Sequence, residues 1–344
     1  MRKTDELYER AANAFSSGDF DGAKKWANEC LKVDKKEFRS LNLLGVILSS
    51  EGKTEAAANA YKKSLEANPK NPQTLNNIAN LLSKTDKQAA LAYYAKAAEL
   101  EPSFSIPRHN MAKIYLSLDG YDEAVSYAAS AFELDSTVGA PLITLGTALK
   151  KKGDTAAATE AYKIALNYVD SRADGYLEIG VMCREDKKYD EAIAYFAEAL
   201  KARPDYAAAY CNLSTVLIDK GEYQKSKGAI LKALELNPKD SITLTNYGVV
   251  LKNDGDYEGA KEAFSAALAI DETTNGAKTN LGILLMLEGE YEEGLRLYDF
   301  RPKTVLACDK PKYNGEAVDG KTVLVYHEQG FGDTINFARL LKSE

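Results

Sequence analysis

A column of asparagines is the first feature of this sequence that could carry out chemistry. It consists of Asn77, Asn110, Asn212, Asn246 and Asn280, which stand at the same position of five repeated segments. Four other segments break the column, with Glu9, Leu43, Thr144 and Glu178 at that position. A side-chain amide has both a donor and an acceptor, so each asparagine can hold one peptide group through two hydrogen bonds. The column therefore predicts a ladder that binds an extended polypeptide by its backbone. The alternative, that asparagine is only a structural preference of the repeat, stays open.

Basic residues form a second feature near the middle of the same surface. They are Lys113, Lys150, Lys151 and Arg184. Toward the C-terminal end the same surface becomes apolar and hydroxylic, at Val249, Ile283, Thr245 and Thr279. Complementary charge guides and orients a partner, so the basic group followed by this apolar one predicts an acidic, partly apolar polypeptide as ligand. A solvated, charged face without a ligand explains the same residues equally well.

A glycine-rich turn near the end of the chain is the third feature. Residues 321–326 are β-branched and apolar, which predicts a buried strand. The next segment contains Gly330 and Gly332, whose backbone amides could approach an acceptor or a phosphate. Asp333 follows and can cap a helix that begins there. Strand, turn and helix in this order predict the opening of an α/β domain.

The elements that position the asparagines repeat every 34 residues, apart from one step of 33. Glycine, alanine or serine recurs where two antiparallel helices would cross closely, and an aromatic residue recurs beside it. Six glycines fall between the two helices, where a residue with positive φ would end the first one; they are Gly18, Gly52, Gly153, Gly221, Gly255 and Gly289. The pattern predicts nine helix-turn-helix repeats over residues 4–301.

This period and these residues resemble the tetratricopeptide repeat family. The resemblance implies an all-α, right-handed superhelical solenoid in which the first helix of each repeat lines the concave face. The asparagine column is similar to the ladder in the superhelix of O-linked N-acetylglucosamine transferases. Beyond the array, we expect a linker over residues 302–320 and a short, incomplete α/β stub over residues 321–344.

The stub resembles the start of the catalytic domain in bacterial tetratricopeptide-containing glycosyltransferases. Gly315, Glu316, Gly320 and Lys321 match the stretch that joins repeats to enzyme in that family. A wider resemblance, to lipopolysaccharide heptosyltransferases, is carried by the pair Gly332 and Asp333 and implies that Asp333 is a general base in a complete enzyme. The full-length parent is then expected to use a nucleotide-sugar donor. For this chain alone we expect no cofactor, metal or activity. A glycine-rich turn of some other α/β domain is the alternative.

Composition sets the remaining limits. The chain has 344 residues, 45% of them hydrophobic, and a net charge of −7, which argues against a general nucleic-acid binder. The opening residues contain no apolar run, so we expect no signal peptide and no membrane span. Widely spaced cysteines without metal-binding spacing predict reduced thiols and a cytoplasmic protein. Two functions remain: the acceptor-recognition scaffold of a larger bacterial glycosyltransferase, or a protein-assembly scaffold without an enzymatic role.

Overall fold

The computed structural model describes residues 3–300, and every regular element in that range is an α-helix. In chain order the helices are α1 (Lys3–Ser16), α2 (Phe20–Val33), α3 (Phe38–Ser50), α4 (Thr54–Ala67), α5 (Pro72–Leu82), α6 (Lys87–Leu100), α7 (Ser105–Leu116), α8 (Tyr121–Leu134), α9 (Ala140–Lys152), α10 (Thr155–Ala165), α11 (Arg172–Glu185), α12 (Tyr189–Ala202), α13 (Ala207–Asp219), α14 (Tyr223–Leu236), α15 (Ser241–Asn253), α16 (Tyr257–Ile270), α17 (Asn275–Leu287) and α18 (Tyr291–Tyr298). The predicted all-α helical-repeat fold is confirmed. The predicted linker and α/β stub lie outside the described residues.

Within the described residues the chain divides into two compact units, residues 3–220 and residues 221–300. The first contains α1–α13 and the second α14–α18. Within each unit every helix packs against the next, and the contacts are densest inside the helix pairs that the repeat predicts, such as α3 with α4 and α15 with α16. Apart from α13 and α14, each unit is thus a stack of antiparallel helix pairs, and buried apolar clusters such as that of α11, α12 and α13 join one pair to the next.

The turn inside a repeat depends on one residue with positive φ. Gly153 follows α9 with φ of 91°, and its N–H bonds the carbonyls of Leu149 and Lys150. All six predicted glycines have positive φ. Asp119 and Lys187 stand at the equivalent position of two other turns, with φ of 58° and 61°. A side chain at such a position costs energy that glycine does not, so these two turns are strained.

Small residues and aromatic rings fill the core as complementary pairs. A Cβ atom on Gly146 would lie 2.5 Å from the ring of Tyr162, and one on Gly180 would lie 2.6 Å from the ring of Phe196. Both rings are fully buried. The close helix crossing therefore places a large apolar side chain in space that only glycine leaves open.

The loop between α10 and α11 covers the start of α9. The carboxylate of Asp170 accepts hydrogen bonds from the backbone N–H groups of Gly139 and Ala140, at 3.1 Å in each case. The buried hydroxyl of Ser171 donates to the carbonyl of Ala165 at 2.9 Å and holds this loop in place. A carboxylate at a helix N-terminus satisfies unpaired donors and complements the helix dipole.

Candidate peptide-binding surface

The odd-numbered helices form the inner side of each unit. In the first unit α1 contacts α3, α3 contacts α5, α5 contacts α7, α7 contacts α9 and α11 contacts α13; in the second unit α15 contacts α17. Consecutive even-numbered helices within a unit make no comparable contacts in the described chain. Helices that converge lie on the concave side of a curved stack. We call the solvent-facing side of the odd-numbered helices the inner face.

The predicted ladder asparagines all lie on odd-numbered helices and are all half-buried. Asn77, Asn110 and Asn212 belong to α5, α7 and α13 of the first unit. Asn246 and Asn280 belong to α15 and α17 of the second. Their positions are compatible with a ladder, and the ladder role itself stays a prediction.

In the first unit, hydrogen bonds between neighbouring odd-numbered helices engage two of these asparagines. The Nδ2 atom of Asn77 donates to Oδ1 of Asn42 at 3.0 Å. The Nδ2 atom of Asn110 donates to Oδ1 of Asn76 at 3.3 Å and to Oδ1 of Asn80 at 3.1 Å. These bonds join α3 to α5 and α5 to α7. Asn77 and Asn110 therefore connect adjacent repeats of the array itself.

His109 and Thr144 continue this line of contacts onto α9. The Nε2 atom of His109 lies 3.0 Å from the hydroxyl of Thr144. Burial lowers the pKa of His109 to about 4; the nearby Lys113 lowers it further, and Asp170 opposes the shift. A neutral imidazole at pH 7 can hydrogen-bond a hydroxyl without placing a charge in this half-buried position. We call the bonded pairs from Asn42 to Thr144 the polar seam.

The polar seam orients amide groups that are not used inside the protein. Asn80 accepts from Asn110 and also from the hydroxyl of Tyr94, at 2.5 Å, through its single Oδ1 atom. Asn42 likewise accepts through Oδ1. Within residues 3–300, the NH₂ groups of Asn42 and Asn80 donate to no protein acceptor. Asn80 is exposed and Asn42 half-buried, so both groups are available to a ligand on the inner face.

The asparagines nearer the C-terminus bond differently. Asn212 donates to the carbonyl of Ala208, and Asn280 donates to that of Gly276, at 2.9 Å in each case. The Oδ1 atom of Asn280 also accepts from the ammonium of Lys252 at 2.6 Å. Because these bonds stay within one helix or use both amide atoms, the five asparagines form no uniform set.

The predicted basic residues differ in how far they are neutralised. Lys150 lies 3.5 Å from Glu178 and 3.8 Å from Glu185, measured from Nζ to the carboxylate oxygen. Arg184 lies 3.8 Å from Asp219. Lys113 and Lys151 are both exposed, and neither forms an ion pair within the described chain. Protein atoms around the Lys113 ammonium lower its pKa, as partial desolvation of a cation requires.

Sequence reasoning did not predict several residues that the structure brings into the surface. Asn42 and His109 occupy the position one residue before the asparagine column, and each bonds a residue 35 positions later. Thr144 is a break in the asparagine column, yet its hydroxyl preserves the bond between repeats. The recurrence of polar side chains at an offset of 34 or 35 residues was the signal available in the sequence.

Other predicted features fall outside this surface. Asp333, Gly330 and Gly332 lie beyond the described residues, so their roles stay predictions. In the described range, no group of three or more histidine, cysteine, aspartate or glutamate residues is arranged to hold a metal ion. None of the helices over residues 3–300 combines the length and apolarity needed to cross a bilayer.

Stacked antiparallel helix pairs with a converging inner layer define a helical-repeat protein. Four family models, each described as tetratricopeptide repeat, match residues 143–207, 184–242, 60–90 with 229–262, and 38–71. The protein is therefore a tetratricopeptide-repeat protein, as the sequence resemblance implied.

The chain is also similar in sequence or in fold to several known proteins. The chain is 27% identical over 179 residues to the human protein O-mannosyl-transferase TMTC3, a match that covers 51% of this chain and 20% of that protein. The crystal structure of the APC/C hetero-tetramer Cut9–Hcn1 has a TM-score of 0.61 at 19% identity, over 82% of this chain and 56% of that one. Yeast Tom70 has a TM-score of 0.63 at 14% identity, over 84% and 65%. At these identities the two structures establish the fold alone.

Proposed function

We propose that the inner face of the first unit binds an extended segment of a partner polypeptide. The observation that carries this proposal is the pair of oriented, unused amide groups of Asn42 and Asn80 beside the polar seam. An extended chain offers a carbonyl acceptor at every residue, and a fixed amide donor can bind it without reorganising. Helical-repeat proteins bind their partners on extended concave surfaces of this kind.

We further propose that the bound segment is the acceptor of a glycosyltransferase to which the array is joined. Two observations support this: the tail resembles the opening of such a catalytic domain, and a relative that is similar over 51% of this chain is named an O-mannosyl-transferase. In that setting Asp333 is the candidate general base, and the donor is a nucleotide sugar. The array would then select the acceptor by affinity, leaving the chemistry to the catalytic domain.

Site-specific photo-crosslinking in the organism of origin tests the proposal. A photoreactive amino acid replaces Thr147 on the inner face of α9, or Lys62 on α4 as a matched control on an even-numbered helix. The proposal predicts one discrete crosslinked polypeptide from position 147 and none from position 62. Equal crosslinking at both positions would contradict a groove-based function.

Glycosylation of the crosslinked partner separates the two parts of the proposal. Mass spectrometry of that partner, with and without Asp333→Ala in the full-length protein, should show a glycan that the variant loses. A captured partner without any glycan would retain the scaffold function and remove the glycosyltransferase role.

A further inference from the structure

Four consecutive helices of the inner layer contain no acidic residue. They are α3, α5, α7 and α9, and each has neither aspartate nor glutamate. The chain as a whole is acidic, with 51 aspartates and glutamates against 44 lysines and arginines. The odd-numbered helices on either side do contain acidic residues: Asp5, Glu6 and Glu9 lie on α1, and Asp174, Glu178 and Glu185 lie on α11. The acid-free section therefore coincides with the polar seam.

Two ammonium groups in this section lack a carboxylate partner. Lys113 on α7 and Lys151 on α9 are exposed, and no ion pair in residues 3–300 includes either. Lys150 differs because Glu178 and Glu185 on α11 approach it. Pairing of these lysines with carboxylates thus begins where the acidic residues of α11 come within reach.

The polar seam supplies neutral donors beside these cations. Asn80 lies 33 residues before Lys113 and occupies the equivalent position of the preceding repeat. Its NH₂ group, and that of Asn42, donate to no acceptor in the described chain. The section therefore offers hydrogen-bond donors and positive charge together, with carboxylates absent from its four helices.

We infer that the inner face of α3, α5, α7 and α9 selects an extended polypeptide segment rich in aspartate or glutamate. Lys113 and Lys151 face its carboxylates, and the amides of Asn42 and Asn80 donate to its peptide carbonyls. This inference rests on the proposed polypeptide-binding function and specifies its ligand. Four helices spaced by about 9 Å span roughly 27 Å, the length of about eight extended residues.

A polypeptide fits this section better than a nucleic acid does. Nucleic-acid affinity comes mainly from neutralising many phosphates, and here two free ammonium groups belong to a chain of net charge −7. Each fixed amide, in contrast, matches the carbonyl of a peptide group. The flanking carboxylates of α1 and α11 would repel a long polyanion but tolerate a short acidic segment.

Fluorescence anisotropy with defined peptides tests the inference on the full chain. The probe is a labelled peptide of about eight residues that alternates glutamate with serine, a length set by the span of the four helices. Two control peptides replace every glutamate by glutamine or by lysine. A single-stranded RNA of equal length is the third control. The glutamate peptide should bind with a Kd that rises with salt, because the attraction is partly Coulombic.

Matched variants locate the binding. Lys113→Glu should weaken the glutamate peptide by about tenfold or more, as reversal of a charge facing the ligand predicts. Lys62→Glu makes the same charge change on the exposed side of α4 and should alter the Kd by less than about twofold. Asn80→Asp preserves shape but replaces donors by a negative acceptor, and should also weaken binding. Each variant must retain the helical signal and melting temperature of the wild type.

The binding of these peptides to the wild type and the variants decides between the possible ligands. Preference for the glutamate peptide, lost in Lys113→Glu and kept in Lys62→Glu, supports the inference. Equal binding of the glutamine peptide, with sensitivity to Asn80→Asp, overturns the acidic preference and leaves the proposed polypeptide binding intact. Binding of none of the peptides, or equal weakening by both lysine variants, overturns both. Tighter binding of the RNA would replace the acidic polypeptide by a nucleic acid.

Discussion

Truncation of Asn110 should destabilise the array much more than truncation of Asn212, although both belong to the same column. Asn110→Ala removes two hydrogen bonds between α5 and α7. It also leaves Oδ1 of Asn76, a residue only 5% exposed, without its donor. An unsatisfied buried acceptor costs about 1–3 kcal/mol, and the better helix propensity of alanine returns about 0.5 kcal/mol. We therefore expect a net loss of about 1–2 kcal/mol.

Asn212→Ala is the matched control. It removes one bond from Asn212 to the carbonyl of Ala208 in its own helix, a bond that contributes little to helix stability. The expected change is within about 0.5 kcal/mol.

Native-state hydrogen exchange measures the opening free energy of individual helices. The effect on the first unit can therefore be measured separately from the stability of the second. For Asn110→Ala, amides of α5 and α7 should exchange roughly 5–30 times faster, as about 1–2 kcal/mol of local opening free energy requires. For Asn212→Ala, the rates in α11 and α13 should stay within about a factor of two. Equal effects of the two variants would refute the view that the polar seam holds neighbouring repeats together.

Three further predictions concern other parts of the first unit. Lys187→Gly should raise the free energy of unfolding by about 0.5–1 kcal/mol, because glycine removes the strain at φ of 61°; an unchanged or lower melting temperature would contradict this. Between pH 6.5 and pH 4 the unfolded His109 is protonated while the folded one is neutral, so the free energy of unfolding should fall as the pH falls through this window, and should fall less in His109→Gln, whose side chain does not titrate. Lys113 and Asp170 face the imidazole from α7 and from the α10–α11 loop, and an equal pH dependence in both proteins would exclude His109 as its source. Asp170→Ala should cost about 1–2 kcal/mol by removing the cap of α9, with faster exchange at the start of that helix; unaltered exchange there would show that water replaces the carboxylate.

The period of the sequence was sufficient to predict the helices and their turns. Close crossings require small residues, and the turn requires a residue that tolerates positive φ, so both constraints act on residue type directly. Gly146 beside Tyr162 and Gly153 after α9 show this link. The same logic does not exclude Lys187 from such a turn, because the strain of one non-glycine residue is small compared with the stability of a whole repeat.

The candidate surface was less predictable, because a column of residues does not specify its partners. Whether Asn110 binds a ligand or Asn76 depends on how two neighbouring helices cross, which residue spacing alone does not determine. Leu43, a break in the asparagine column, is buried in the core instead of facing solvent. The neutralisation of Lys150 on α9 by Glu178 on α11 likewise depends on how two neighbouring repeats are placed against each other.

An NMR titration that follows asparagine side-chain amides tests the central claim most directly. Asn→Asp variants assign the NH₂ signals of Asn42, Asn80 and Asn212, and the glutamate-rich peptide is the ligand. Binding on the acid-free part of the inner face predicts concentration-dependent shifts for Asn42 and Asn80, with Asn212 on α13 unchanged. Shifts confined to Asn212 or to residues of the even-numbered helices, with Asn42 and Asn80 unmoved at saturating peptide, would contradict the account.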